Sequence, residues 1–224
     1  MITYPLINTL PKEYIRERLE FYLNEDIPED DYTSLATIDE NSVSTGIVES
    51  LDDFIFVGEF ILKELFKDNF ELKIFANDGD RVAKNFIIAE IKGNTRELLK
   101  KERTMLNIMQ RLSGIATATA RYTAITEPYN IKILDTRKTT PGMRLFEKYA
   151  VAMGGGHNHR LNLSSAILIK DNHIKAAGSI TNAINNAKAM NLGLNIEVEA
   201  DTLEQVEEIS LCGADGILQI GRAH

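Results

Sequence analysis

The sequence predicts an α/β protein, and three observations carry the prediction. Short alternating apolar runs fill the first hundred residues, a helical period spans residues 97–125, and strand, loop and helix patterns then repeat in that order. Repeated strand–helix alternation implies a parallel sheet or barrel, whereas the earlier segment reads as α+β. At residues 10–23, Leu10, Tyr14, Ile15, Leu19, Tyr22 and Leu23 lie near helical spacing, and Pro11 suits a first turn. After an acidic stretch at 24–31, strands are expected at 44–49, 53–57, 72–75 and 86–91, with a helix at 59–66. Asn77-Asp78-Gly79-Asp80 reads as a hairpin turn, because Gly and Asn tolerate positive φ.

The long helix at 97–125 places Leu98, Met105, Met109, Leu112, Ala116 and Tyr122 on one face, with Arg103, Asn107, Gln110 and Gly114 on another. It is expected to be mostly buried, with a break allowed at Gly114. Strands at 131–134, 166–169, 195–198 and 216–218 then alternate with helices at 143–153, 179–190 and 202–211. A closed barrel of eight such units takes about 250 residues, so these four strands make half of one.

Composition narrows the function classes. The 224 residues carry 25 Lys or Arg against 33 Asp or Glu, a net charge of −8, with 44% apolar residues, which is ordinary for a soluble globular chain. A pI near 5.1 argues against non-specific nucleic-acid binding. No stretch approaches the roughly 18 apolar residues of a membrane span, and the N-terminus lacks a signal-peptide layout. A cytoplasmic location is therefore expected. With Cys212 as the single cysteine, an intramolecular disulfide and a thiolate-rich zinc site are excluded.

The chemistry concentrates between Arg137 and Lys175. Seven Lys or Arg fall there (Arg137, Lys138, Arg144, Lys148, Arg160, Lys170, Lys175) against Glu147 and Asp171, a local +5 in a chain of −8. Asp135-Thr136-Arg137-Lys138 and Lys170-Asp171-Asn172-His173 each follow an apolar run, where α/β architectures bind ligands. A mixture of planar guanidinium groups and compact ammonium charges suits a small, multiply anionic ligand. The plainer reading is a solvated charged face, and for Arg103 a packing-and-pairing role on the helix. Gly154-Gly155-Gly156 either lets backbone approach a ligand or makes a flexible connection. His157-Asn158-His159 has a spacing found in metal-dependent hydrolases, but neighbouring guanidinium groups would repel a cation. A P-loop is excluded by the absence of Gly-Lys-Ser/Thr after the glycines. Glu197 and Glu199 alternate along one strand face, and could hold Mg²⁺ through water or pair with Lys170.

Four ordered segments carry a resemblance. They are Glu102-Arg103-Thr104 with Arg111-Leu112-Ser113-Gly114-Ile115-Ala116-Thr117, Asp135-Thr136-Arg137-Lys138-Thr139-Thr140-Pro141-Gly142, Gly154-Gly155-Gly156-His157-Asn158-His159-Arg160-Leu161, and Ile169-Lys170-Asp171-Asn172-His173. Together they resemble the quinolinate phosphoribosyltransferase family. The resemblance implies an N-terminal α/β sandwich at residues 1–112 and an incomplete α/β barrel, the phosphoribosyltransferase domain, at 113–224. It implies a homodimer in which Arg103 reaches the neighbouring site. Positions matching Arg137, His159, Arg160 and Lys170 surround the two quinolinate carboxylates, and those matching Lys138 and Glu199 serve phosphoribosyl pyrophosphate and Mg²⁺. Thr136 joins the substrate-binding set, Lys138, Lys170 and Glu199 form the catalytic set, and Glu199 meets Mg²⁺ through water. The family carries an acid aligned near Ile220 and later glycine-rich phosphate loops, which this chain lacks. Expected consequences are unfinished barrel edges, poor solubility or compensating oligomerisation, and, as the alternative to an active enzyme, a truncated fragment that binds only a dicarboxylate.

Overall fold

The computed structural model describes residues 2–219, so the departure near Ile220 and the last five residues lie outside the described part. Two compact units emerge: Leu6–Asn158 form the larger, and the N-terminal residues through Pro5 join the chain from His159 onward in the smaller. The expected boundary at 112/113 falls within one continuous helix, Thr95–Thr126.

The larger unit begins with α1 (Lys12–Asp26), where Pro11 stands as N-cap and Ile15 and Leu19 are buried. A short helix that the sequence pattern does not reveal follows, α2 (Tyr32–Thr37), capped by Asp31 accepting from the Ser34 N–H at 3.1 Å. Next come β1 (Val43–Glu49), β2 (Phe54–Ile55), α3 (Glu59–Leu65), β3 (Glu71–Ile74), β4 (Arg81–Val82) and β5 (Ile87–Asn94). An antiparallel sheet runs β1-β5-β3, and β2 pairs with β4 separately.

The expected hairpin at 77–80 is therefore not one, since its flanking strands β3 and β4 belong to different sheets. Gly79 has φ +94°, as the turn requires, and Asp80 closes the turn by accepting from the Asn77 N–H at 2.7 Å, but Asp78 serves another end. Asp78 accepts from the Gly58 and Glu59 N–H groups at 2.6 and 2.8 Å, tying the turn to the start of α3, and from the Tyr149 hydroxyl at 2.8 Å.

Helix α4 (Thr95–Thr126) runs for 32 residues straight through Gly114. Met105, Ile108, Met109, Leu112 and Ala116 form its buried stripe, and a side chain at Gly114 would meet open space. Packing on the opposite face decides continuity, so one exposed glycine, costing about 1 kcal/mol relative to alanine, does not break the helix. Tyr122, expected on the buried face, is 62% exposed.

A 3-10 turn (Glu127–Tyr129) leads to the segment expected as a strand at 131–134. Among the described residues of that segment Leu134 alone makes a parallel bridge, to His157, through Asp135 N–H to His157 O at 3.1 Å and His157 N–H to Ile133 O at 2.8 Å. Helix α5 (Arg144–Met153) follows, burying Phe146, Tyr149 and Ala150. Two of the three glycines after it, Gly154 and Gly156, are packing devices rather than a ligand cradle, and Gly155 takes φ +80°. A Cβ on Gly154 would fall 2.3 Å from Ala116 O, and one on Gly156 would fall 2.7 Å from Thr119 Cγ2.

The smaller unit holds β6 (Ile167–Ile169), α6 (Asp171–Ala177), α7 (Ile180–Ala189), β7 (Ile196–Ala200), α8 (Leu203–Leu211) and β8 (Gly216–Gln219). Its parallel sheet runs β6-β7-β8 in chain order, three strands among the described residues where four had been expected. Ile169, Ile184, Ile196, Val198 and Ile209 form its core. Ser179 and Thr202 cap α7 and α8 through side-chain oxygens. No helix among the described residues is long and apolar enough to cross a membrane.

Candidate active site

In the larger unit the loop after Leu134 carries Thr136, Arg137 and Lys138, and groups behind it fix its course. Asp135 pairs with the Lys148 ammonium on α5 and accepts from the Asn158 side-chain amide at 2.6 Å. Asn158 also donates to Lys148 O at 2.9 Å and accepts from the Ile7 N–H at 2.7 Å. The Lys148 and Asp135 side chains are 1% and 6% exposed. Burial pushes the Lys148 ammonium below its ordinary value, and Asp135 opposes the fall.

Farther along the loop, Glu147 accepts from Arg111 Nε at 2.8 Å and from the Thr140 N–H at 3.1 Å. Arg144 Nε donates to Thr139 Oγ1 at 3.1 Å. Lys148 and Arg144, counted in the basic cluster by sequence, are thus anchors of the loop. What the loop presents outward is different. Thr136 and Lys138 are exposed, and Thr136 Oγ1 accepts from the Lys138 N–H at 3.0 Å. Arg137 is half-buried, and its Nε is buried with no hydrogen-bond partner among the described residues. Such donors are rarely left unmet in folded proteins, which marks this guanidinium as available to an anion. Arg103 lies on the exposed side of α4, not on a buried face that would call for pairing.

In the smaller unit the candidate site residues gather at the carboxyl ends of β6 and β7. Parallel register sets Ile169 beside Val198, so Lys170 and Glu199 emerge as neighbours and form an ion pair. Their side chains are 43% and 16% exposed. Glu197, one alternation earlier on β7, takes different partners: the Tyr4 hydroxyl at 2.9 Å and His159 Nε2 at 2.7 Å. Of the two readings open for this pair of acids, the ion pair with Lys170 falls to Glu199 alone. Arg160 is 5% exposed, and its Nη1 donates to Ala166 O at 2.9 Å. His173 accepts the Lys170 N–H on Nδ1 at 2.9 Å and so caps α6, a local duty rather than a ligand's.

Sequence reasoning missed Asn158, Tyr4 and the partnership of Glu197 with His159. The His157-Asn158-His159 spacing drew attention to a metal, whereas Asn158 is a buried crosslink and His159 bonds the Glu197 carboxylate. No group of three or more His, Cys, Asp or Glu that could hold a metal ion occurs among the described residues. A groove of about 950 Å³ in the larger unit runs along β1 and α4, lined by Ile47, Val48, Leu98, Met105 and Met109 among others. Its apolar walls do not suit a small dianion, so its size is no guide to the chemistry.

The model described as quinolinate phosphoribosyl transferase, N-terminal domain, matches residues 31–113, and that for the C-terminal domain matches 115–219. A Bacillus subtilis protein named as a probable nicotinate-nucleotide pyrophosphorylase (carboxylating) is 45% identical over 208 residues, covering 91% of this chain and 72% of that protein. A Synechocystis protein of the same name is 44% identical over 146 residues, 65% of this chain and 50% of that protein. The crystal structure of NadC from Streptococcus pyogenes superposes with a TM-score of 0.89 at 39% identity, over 96% of this chain and 78% of the other. The chain thus spans between half and about four fifths of the length of these proteins. With both domains matched and the sequence and fold in agreement, the chain belongs to the quinolinate phosphoribosyltransferase family.

Proposed function

We propose that the protein transfers the phosphoribosyl group of phosphoribosyl pyrophosphate to quinolinate with loss of CO₂, giving nicotinate mononucleotide and pyrophosphate. The observation that carries this reading is the anchored loop. Four side chains behind it, Lys148, Asn158, Glu147 and Arg144, hold it in place, while Arg137 keeps a buried guanidinium N–H without a partner. Preorganised cationic donors are what a dicarboxylate needs, since ordering them at binding would cost affinity.

Chemistry follows from charge. The quinolinate ring nitrogen attacks ribose C1 as the C1–O bond to pyrophosphate breaks, its electron pair leaving with the pyrophosphate. The pyridinium so formed accepts the electron pair of the C2–carboxylate bond, CO₂ departs, and C2 takes a proton. Arg137, His159, Arg160 and Lys170 bind and orient carboxylates, Lys138 with Thr136 meets the phosphate groups, and Glu199 favours the positive charge that develops on the ribose. Glu199 is a single carboxylate, a donor set that suits hydrated Mg²⁺ whose remaining ligands come from substrate phosphates. When bound there, Mg²⁺ would stabilise negative charge on the leaving pyrophosphate. Exposure of Arg103 on α4 supports its being offered to a second copy in a homodimer.

Titration calorimetry with quinolinate and, separately, nicotinate tests this reading. Quinolinate should bind and nicotinate, with one carboxylate fewer, should bind far more weakly. Equal binding of both, or of neither, would remove the dicarboxylate site.

A further inference from the structure

We infer that Glu197 is a positioning residue for quinolinate binding: it fixes the tautomer and ring orientation of His159, and Tyr4 from the N-terminal segment holds it there. The inference rests on the proposed function for its last step only.

Glu197 is 6% exposed within a strand whose neighbours Ile196 and Val198 are core residues. An apolar side chain would pack at such a place without the cost of burying a carboxylate. The structure instead gives each carboxylate oxygen a donor, Tyr4 Oη at 2.9 Å on Oε1 and His159 Nε2 at 2.7 Å on Oε2. An ionised carboxylate only accepts, so the proton of the second bond belongs to Nε2. Tyr4 remains a phenol and donates, because burial first, and Glu197 second, push its acidity well below that of free tyrosine. The Tyr4 and His159 rings meet at 4.8 Å between centroids with a tilt of 54°, which restrains the imidazole from its side as well as from its edge. Glu197 and Tyr4 thus hold His159 by a hydrogen bond and a ring contact. Carboxylate partners of this kind set the tautomer and angle of histidines that must meet a ligand.

The test uses the full chain labelled with ¹⁵N in its four histidines, with His159→Asn assigning the resonances. Glu197→Met removes the acceptor at similar volume, Glu197→Gln keeps one oxygen that can accept from Nε2, and Tyr4→Phe removes only the supporting hydroxyl. Wild type should show His159 protonated on Nε2. Glu197→Met should lose that signature and weaken quinolinate binding by about ten- to a hundredfold, by analogy with the partners of ligating histidines. Glu197→Gln should restore most of both, and Tyr4→Phe should have the smallest effect. A His159 spectrum unchanged in Glu197→Met would overturn the inference. So would a changed spectrum with unaltered quinolinate affinity, which leaves Glu197 a purely structural residue. Failure of the wild-type chain to bind quinolinate is a separate result, and counts against the proposed function, because the spectra still decide the hydrogen bond.

Discussion

Two lysine–carboxylate pairs, one in each compact unit, look alike on paper and differ in what surrounds them. Lys148 and Asp135 are 1% and 6% exposed, and Asn158 crosslinks the pair. Lys170 and Glu199 are 43% and 16% exposed, at the open ends of parallel strands. In the first pair neither charge can find water if its partner is removed. In the second the ammonium is already half in solvent, and a ligand carboxylate can compete for it. Burial therefore separates a pair that shapes the loop from a pair whose members are free to exchange partners during a reaction.

The contrast is broken most directly at Lys148. Lys148→Met should destabilise the fold by about 3–5 kcal/mol, the usual effect of stranding one buried charge, read as a lower urea midpoint. A loss below about 1 kcal/mol would mean the pair is hydrated and the distinction false. Arg137→Ala should leave the urea midpoint unchanged and weaken quinolinate by about 2–4 kcal/mol in calorimetry. Lys170→Met sharpens the comparison from the other side. Its stability cost should stay under about 1 kcal/mol, while quinolinate affinity falls.

The smallest effect concerns pH. Burial, and then the charge of Asp78, hold the Tyr149 hydroxyl above its ordinary acidity range. The folded state thus keeps a proton that the unfolded chain releases near pH 10. Stability from this group is fully present below about pH 10 and is lost as pH rises beyond it. Urea midpoints measured from pH 9 upward should fall, and Tyr149→Phe should flatten the decline.

Helices α5, α7 and α8 were legible almost to the residue, because each shows a helical apolar period, and Ser179 and Thr202 announce two of the starts. Helices α2 and α6 were not, because α2 buries only Ser34 and α6 buries no residue, so neither carries the apolar stripe that marks the similarly short α3. Arg137 could be read from its place after an apolar segment. Lys148 could not be sorted from it by counting charges, because it lies on the side of α5 roughly opposite the arc of Phe146, Tyr149 and Ala150, and no apolar period marks it as buried. Tyr4 gave no signal, since its partner Glu197 is 193 positions away and only the folded chain brings them together.

Decarboxylating phosphoribosyl transfer is the activity proposed for this chain. Incubating the purified chain with quinolinate, phosphoribosyl pyrophosphate and Mg²⁺, and counting nicotinate mononucleotide against CO₂, tests it most directly. The account predicts equal amounts of the two products from quinolinate and no nucleotide when nicotinate replaces it. Nucleotide formed equally well from nicotinate, or none from quinolinate with intact folded protein, would contradict it.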